Sequence, residues 1–113
     1  MLPAANRLNK EKDIKRVLRL GRSLFSPYFR LKYLQNNLKK TRVTVVVSTK
    51  FSKKAVERNR VKRQIREIFR LNLAKISLGC DFVLSVAPAA LGTEYQKLEK
   101  EILFLLNKAK LLL

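Results

Sequence analysis

This sequence predicts an α+β fold, an α-β sandwich, and three observations lead there. Segments with the two-residue alternation or β-branched density of strands interleave with segments whose apolar residues recur three and four apart, as in amphipathic helices. The resulting order is α-β-β-α-β-α. Such an order suits helices packed on one face of a sheet, with the other face left open for binding.

The first helix is predicted over residues 9–20, NKEKDIKRVLRL. Asn9 serves as its N-cap and Gly21 as its stop. Ile14, Val17 and Leu18 form its apolar face, and Arg16 and Arg19 suit the negative end of the helix dipole. Residues 28–34, YFRLKYL, alternate as a half-buried strand, with Phe29, Leu31 and Tyr33 on one side and Tyr28, Arg30 and Lys32 on the other. After the polar connection QNNLKK comes a β-branched strand, Arg42 to Ser48, and the two strands are expected to pair as an antiparallel hairpin. A basic loop, TKFSKK, leads into a second helix from Ala55 to Ile76, with Ser52 as a cap and Gly79 just past the end. Residues 81–87, DFVLSVA, make a strand stopped by Pro88. Thr93 to Gln96 fits a capping box for a third helix running to Leu113, with Leu98, Ile102, Leu105, Leu106 and Ala109 facing the core. The second helix joins two strands, so a β-α-β crossover results if those strands are parallel. The general rule makes such a crossover right-handed.

A chain of 113 residues that is 47% hydrophobic suits one domain, 1–113, around a single core. Charge is the stronger fact. Lys and Arg number 26 against 8 Asp and Glu, a net charge of +18. A field of that size opposes compaction and favours a polyanionic partner, nucleic acid first. A membrane surface is the rival, but no apolar run approaches the ~20 residues of a membrane span, and MLPAANRLNK lacks the apolar stretch of a signal peptide. Cys80 is the only cysteine, which precludes an internal disulfide and fits a reducing cytoplasm. It reads as a small buried residue opening a strand rather than a reactive thiol. The sequence has no histidine, which removes His-based acid-base chemistry and most transition-metal sites. The carboxylates, Glu11, Asp13, Glu57, Glu67, Asp81, Glu94, Glu99 and Glu101, are scattered and mostly lie beside Lys or Arg. A two-metal nuclease site needs several of them converging. No catalytic residue and no protein-held metal is therefore assigned.

The second helix carries the most specific signal. On a helical wheel Val61, Ile65, Ile68 and Phe69 cluster toward the core. Asn59, Arg63, Arg66 and Arg70 fall opposite, with Arg60 beside them and Arg58 and Lys62 at the other margin. A charge run is ordinarily a solvated face, but such faces mix signs through Glu–Lys pairs four apart. Here Arg58 and Lys62, and Arg66 and Arg70, repeat the same sign at that spacing. Arginine's planar fork binds phosphate bidentately and stacks on bases. The pattern reads as a nucleic-acid-contacting face.

Arg58-Asn59-Arg60-Val61-Lys62-Arg63, followed by Ile65-Arg66-Glu67 and Phe69-Arg70, resembles the RNR signature of the bacterial ribonuclease P protein family. The resemblance spans most of the chain. Asn6-Arg7-Leu8, Gly21, the valine strand, Lys50, the signature helix and Asp81-Phe82-Val83 follow one another in family order. It implies a sandwich resembling domain 2 of ribosomal protein S5, with a left-handed β-α-β crossover against the general rule. It also implies a partner, the ribonuclease P catalytic RNA, which holds Mg²⁺ and removes the 5′ leader of precursor tRNA. Arg58, Asn59, Arg60, Lys62, Arg63, Arg66 and Arg70, with Lys53 and Lys54, would contact that RNA. A leader-binding cleft would lie on the sheet between the first helix and the signature helix, at Ile14, Leu18, Lys32 and Lys50, with Tyr28 or Tyr33 supplying aromatic rings.

The chain departs from the family pattern in several places. Ile14 and Leu18 stand where aromatic residues often line the cleft, and read from the sequence alone they are ordinary core positions. Lys32 stands where some relatives have Tyr, Thr44 where Gly is usual, and Val86-Ala87-Pro88 where a basic residue follows the strand. Poorer stacking on Ile and Leu predicts weaker or more electrostatic leader contacts. The alternative reading is a structural ribosomal-type RNA-binding protein with no role in cleavage. A major-groove DNA reader would need a short turn and a second helix before Glu57, and none is seen. A protein-only nuclease would cleave without added RNA. The family reading needs no membrane and no further protein partner.

Overall fold

The sheet is organised by a central strand late in the chain. The computed structural model describes residues 2–113; Met1, the first residue of the predicted 1–113 unit, lies outside them. Strands β1 (Arg22–Phe25), β2 (Phe29–Gln35), β3 (Arg42–Val46) and β4 (Cys80–Val86) form one sheet in the order β1-β2-β4-β3. β2 runs antiparallel to β4 from Phe29↔Val86 to Gln35↔Cys80, and β3 runs parallel to β4 from Arg42↔Asp81 to Val46↔Ser85.

The expected hairpin between residues 28–34 and 42–48 is therefore corrected: β4 lies between the two strands. The reason is burial. Phe82, Val83 and Leu84 are all buried, so this strand is apolar on both sides and belongs in the middle of a sheet. The polar connection crosses the end of β4 instead of turning tightly. Asn36 Nδ2 donates to Asp81 Oδ1 at 2.8 Å, and the Asn36 amide donates to the Gly79 carbonyl at 2.7 Å.

Helices α1 (Glu11–Leu20), α2 (Ala55–Asn72) and α3 (Tyr95–Lys108) complete the fold. They do not share one sheet face, as the sequence suggested. Phe29, Leu31, Val45, Phe82 and Leu84 form the main core with Ile65, Ile68 and Phe69 of α2 and Ile102 and Leu105 of α3. On the opposite face α1 seats Val17 against Val83 and Leu8, with Ile14 and Leu34 packed around them. α1 covers only part of that face, and the remainder is open.

β1 was not anticipated. It is short and mostly exposed, and it pairs antiparallel with β2 from Arg22↔Tyr33 to Phe25↔Arg30. Gly21 makes the entry possible. A β-carbon there would lie 2.4 Å from the Val17 carbonyl oxygen and 2.9 Å from that of Tyr33, so only glycine lets the chain leave α1 directly onto β2.

Helix ends shift by a residue or more from the predicted caps. Lys10, Lys54 and Glu94 occupy the N-cap positions with no side-chain cap, so Asn9 and the Thr93 capping box do not form as expected. α2 ends at Asn72 rather than Ile76, because Ile76 is drawn into a bridge with Leu112. That bridge also ends the third helix before the C-terminus.

Candidate nucleic-acid interface

α2 forms despite its charge because burial outweighs repulsion. Val61, Ile65, Ile68 and Phe69 are all nearly inaccessible, each worth about 1.5–3 kcal/mol on burial. Each like-charge pair four apart costs only about 0.2–0.5 kcal/mol. Phe69 meets Phe82 of β4 with ring centroids 6.0 Å apart. At the far end Asn72 Nδ2 donates to the Ile68 carbonyl at 2.7 Å and to Glu99 Oε2 at 3.0 Å, tying α2 to α3.

The opposite side of α2 is the basic face that the sequence predicted. Asn59, Arg60, Arg63 and Arg70 are exposed, and Arg58, Lys62 and Arg66 are half-buried at its margins. Arg58 Nη1 donates to the Ser52 carbonyl at 2.9 Å, which locks the preceding loop to the helix. Arg70 is paired with Glu67; this contact holds the glutamate pKa below the usual range and the arginine above it. Arg70 is thus partly neutralised, whereas among the described residues no other member of the predicted set is ion-paired. Arg63 and Arg66 line a cavity of about 220 Å³ with Leu2, Arg7 and Glu67. Arg7 belongs there because the N-terminal segment runs beside β3, where Arg7 bridges Val43 and the Leu8 amide donates to the Val43 carbonyl. The sequence placed Arg7 in family order but gave no sign that it neighbours this face.

Lys50, Lys53 and Lys54 are exposed on the β3–α2 loop. Phe51 anchors that loop in the core at 4% exposure. Ser48 Oγ accepts from the Lys50 amide and Ser52 Oγ from the Lys54 amide, at 3.2 and 3.1 Å. Ser52 also hydrogen-bonds Glu57 in the first turn of α2. The three lysines therefore project from a pinned loop.

The predicted cleft is partly assembled and partly redrawn. Leu18, Arg30, Lys32, Val83 and Ser85 line a depression of about 220 Å³ beside α1. Lys32 Nζ donates to the Leu18 carbonyl at 2.6 Å, satisfying a terminal carbonyl of α1 and bracing the helix against the sheet. Leu18 is 45% exposed, whereas Ile14 packs into the small core under α1. Tyr28 and Tyr33 do not join them. Tyr33 packs on Phe82 in the main core, and Tyr28 lies beneath Lys97 of α3, both on the other side of the sheet from Lys32. Alternation along β2 dictates this for Tyr33. α2 also lies across the sheet from α1, so the depression is bounded by α1 and open sheet rather than by two helices.

At the other end of this face Arg42 is held by Asp81 through contacts of 2.8 and 2.7 Å, with Asp13 of α1 at 3.3 Å. The hydrogen-bonded Asp81 carboxylate raises the Arg42 pKa against the effect of burial. Most carboxylates are committed in this way: Glu11 pairs with Lys15, and Glu99 with Asn72. Among the described residues no group of three His, Cys, Asp or Glu side chains could hold a metal ion.

A small α+β protein with one arginine-faced helix, a lysine loop and an open sheet face belongs to the class of basic nucleic-acid-binding proteins. The ribonuclease P family model matches residues 2–110, and the chain belongs to that family. It is 42% identical over 113 residues to the ribonuclease P protein component of Pseudanabaena sp., spanning 99% of this chain and 97% of that one. To that of Alkaliphilus metalliredigens it is 35% identical over 107 residues, 95% and 96% of the two chains. The RNase P protein of Thermotoga maritima, solved with 1-(4-fluorophenyl)-2-thiourea, superposes with a TM-score of 0.83 at 33% identity, covering 88% of this chain and 96% of that one. A Staphylococcus aureus RNase P protein structure gives a TM-score of 0.85 at 27% identity, covering 94% and 96%. The chain is accordingly a subunit of ribonuclease P, a partner of its RNA in tRNA 5′ processing, within a holoenzyme whose catalysis is by RNA.

Proposed function

We propose that this protein binds the catalytic RNA through Arg58, Asn59, Arg60, Lys62, Arg63 and Arg66, with Lys53, Lys54 and Arg70 as flanking phosphate contacts. Residues 1–113 act as one domain. The depression at Leu18 and Lys32, beside the small core that holds Ile14, receives the 5′ leader of precursor tRNA, with Lys50 of the β3–α2 loop as a further phosphate contact. The observation that supports this reading is the predominantly basic face of α2, where Arg60 and Arg63 stand exposed and Glu67 is paired with Arg70, on a helix whose apolar side is buried. Guanidinium groups held on a rigid helix meet phosphates with little further loss of freedom.

Mg²⁺ is the metal we assign to the holoenzyme, held mainly by the RNA. This chain offers no complete ligand set of its own among the described residues. The ion supplies charge stabilisation and activated water when bound. The polypeptide contributes binding energy and neutralises phosphate repulsion between two RNAs. Among the described residues no helix is long and apolar enough to cross a membrane, and the cytoplasm, where the RNA partners reside, is the compartment we assign.

Reconstitution tests the proposal. Purified protein, a bacterial ribonuclease P RNA and end-labelled precursor tRNA are combined at low Mg²⁺. Leader removal is scored with protein alone, RNA alone and both. Cleavage that requires both is the expected result. Tight, salt-sensitive RNA binding with no enhancement, even with the cognate RNA, would assign the chain to the structural RNA-binding class instead.

A further inference from the structure

Phe25 is 62% exposed, although it sits in a strand of the sheet. It pairs directly with Arg30, which in turn pairs with Ser85, and Ser85 with Val46. Directly opposed residues share a sheet face, so Phe25, Arg30, Ser85 and Val46 form one row across all four strands. Arg30 and Ser85 also line the depression beside Leu18 and Lys32. Phe25 therefore lies on the same face as that depression, one strand outward and beyond the cover of α1. The Arg30 guanidinium carbon stands 5.2 Å from the centroid of the Phe25 ring.

We propose that Phe25, with Arg30, is a stacking ledge for one unpaired RNA base at the outer end of the depression. The proposal rests on the leader-binding reading and names a residue that this reading lacked. The aromatic positions expected on α1 are aliphatic here, and the tyrosines of the β1–β2 region face the other way. Phe25 is the exposed aromatic ring that the fold carries onto the open face. A ring beside a guanidinium takes a nucleobase on its surface while the cation meets the adjoining phosphate. The alternative for such a ring is a cross-strand contact that steadies the hairpin. That role does not need the ring to remain mostly uncovered. Charge selects the occupant: Arg30 and Lys32 lie in and beside the row, and the whole chain carries +18. The base can come from the leader of precursor tRNA or from an unpaired nucleotide of the catalytic RNA, and both present the same chemistry.

The chain contains no tryptophan, so Phe25→Trp introduces a single fluorophore at the ledge. Holoenzyme carrying it is assembled with catalytic RNA alone, with added mature tRNA, and with added precursor tRNA. Quenching that appears with the catalytic RNA alone supports the ledge and assigns the base to that RNA. Quenching that appears only with precursor tRNA supports it and assigns the base to the leader. In parallel, Phe25→Ala and Phe25→Leu are expected to weaken the affected RNA contact by roughly tenfold, while Phe25→Trp retains it. Phe25→Leu keeps an apolar side chain on the hairpin, and unfolding midpoints of all three variants separate stacking from folding.

No quenching in any assembly would overturn the proposal. So would equal loss in all three variants, which would reduce Phe25 to hairpin support. Unchanged leader preference in Phe25→Ala, in a holoenzyme that does distinguish precursor from mature tRNA, would overturn a leader-facing ledge while leaving the proposed function intact. A wild-type holoenzyme that does not distinguish them would instead remove the leader-binding reading.

Discussion

Arg63 and Arg66 differ from Arg70 in one respect that matters for binding. Arg70 already has a carboxylate partner in Glu67, whereas Arg63 is exposed and Arg66 half-buried, and neither forms an ion pair among the described residues. Arg63→Ala and Arg66→Ala are each expected to weaken catalytic-RNA binding and to lower the slope of log affinity against log salt by about 0.9 per contact. A salt titration of each variant checks this, and an unchanged slope would remove the residue from the interface. Cys80 shows the opposite regime. Burial is the main cause that pushes its thiol pKa up, with the Asp81 charge adding to it. The folded state thus favours the neutral thiol. Stability from this group is present below the ordinary thiol pKa and declines as pH rises through the raised one. A thiol reagent at mildly alkaline pH is expected to label Cys80 slowly in the native protein and rapidly in denaturant. Equal rates would show that the thiol is accessible.

Among the elements, the junction of α1 with β1 bears most directly on the open face. Gly21 lets α1 stop against β2, and Lys32 then braces the helix end at the Leu18 carbonyl. Gly21→Ala would drive a methyl group into two backbone oxygens that cannot swing aside. It is expected to destabilise the fold by about 1–3 kcal/mol, measured as a shift in the urea midpoint. It should also move Leu18 relative to the sheet, and so alter substrate binding more than binding of the catalytic RNA. A variant with wild-type stability would mean that the close approach relaxes freely. β1 itself had no periodic signature, being only Arg22–Phe25. A four-residue strand is too short to display two-residue alternation convincingly.

For the whole molecule, a charge of +18 sets folding and binding against each other in salt. Screening relieves self-repulsion in the free protein, so its unfolding midpoint is expected to rise as monovalent salt increases toward the physiological range. RNA affinity should fall over the same range, because fewer counterions are released. Thermal unfolding and RNA titration in the same buffers test both. A midpoint that falls with salt would mean that ion pairs such as Arg42–Asp81 outweigh the net repulsion.

The basic face of α2 was legible from the sequence because it depends only on local geometry: a helix of known period, an apolar stripe and a run of Arg and Lys opposite it. The family was legible from the same residues in order along the chain. The class of fold followed from alternation and periodicity. Strand partners did not. Val43 and Leu31 both read as strand residues, but which neighbour each meets depends on where the doubly buried β4 lies. That is a competition among long-range contacts that no local pattern encodes. The aromatic question was settled the same way. Tyr28, Tyr33 and Phe25 are similar rings within nine residues of sequence. Only the pairing of β1 with β2, and of β2 with β4, turns two of them into the main core and leaves Phe25 on the open face.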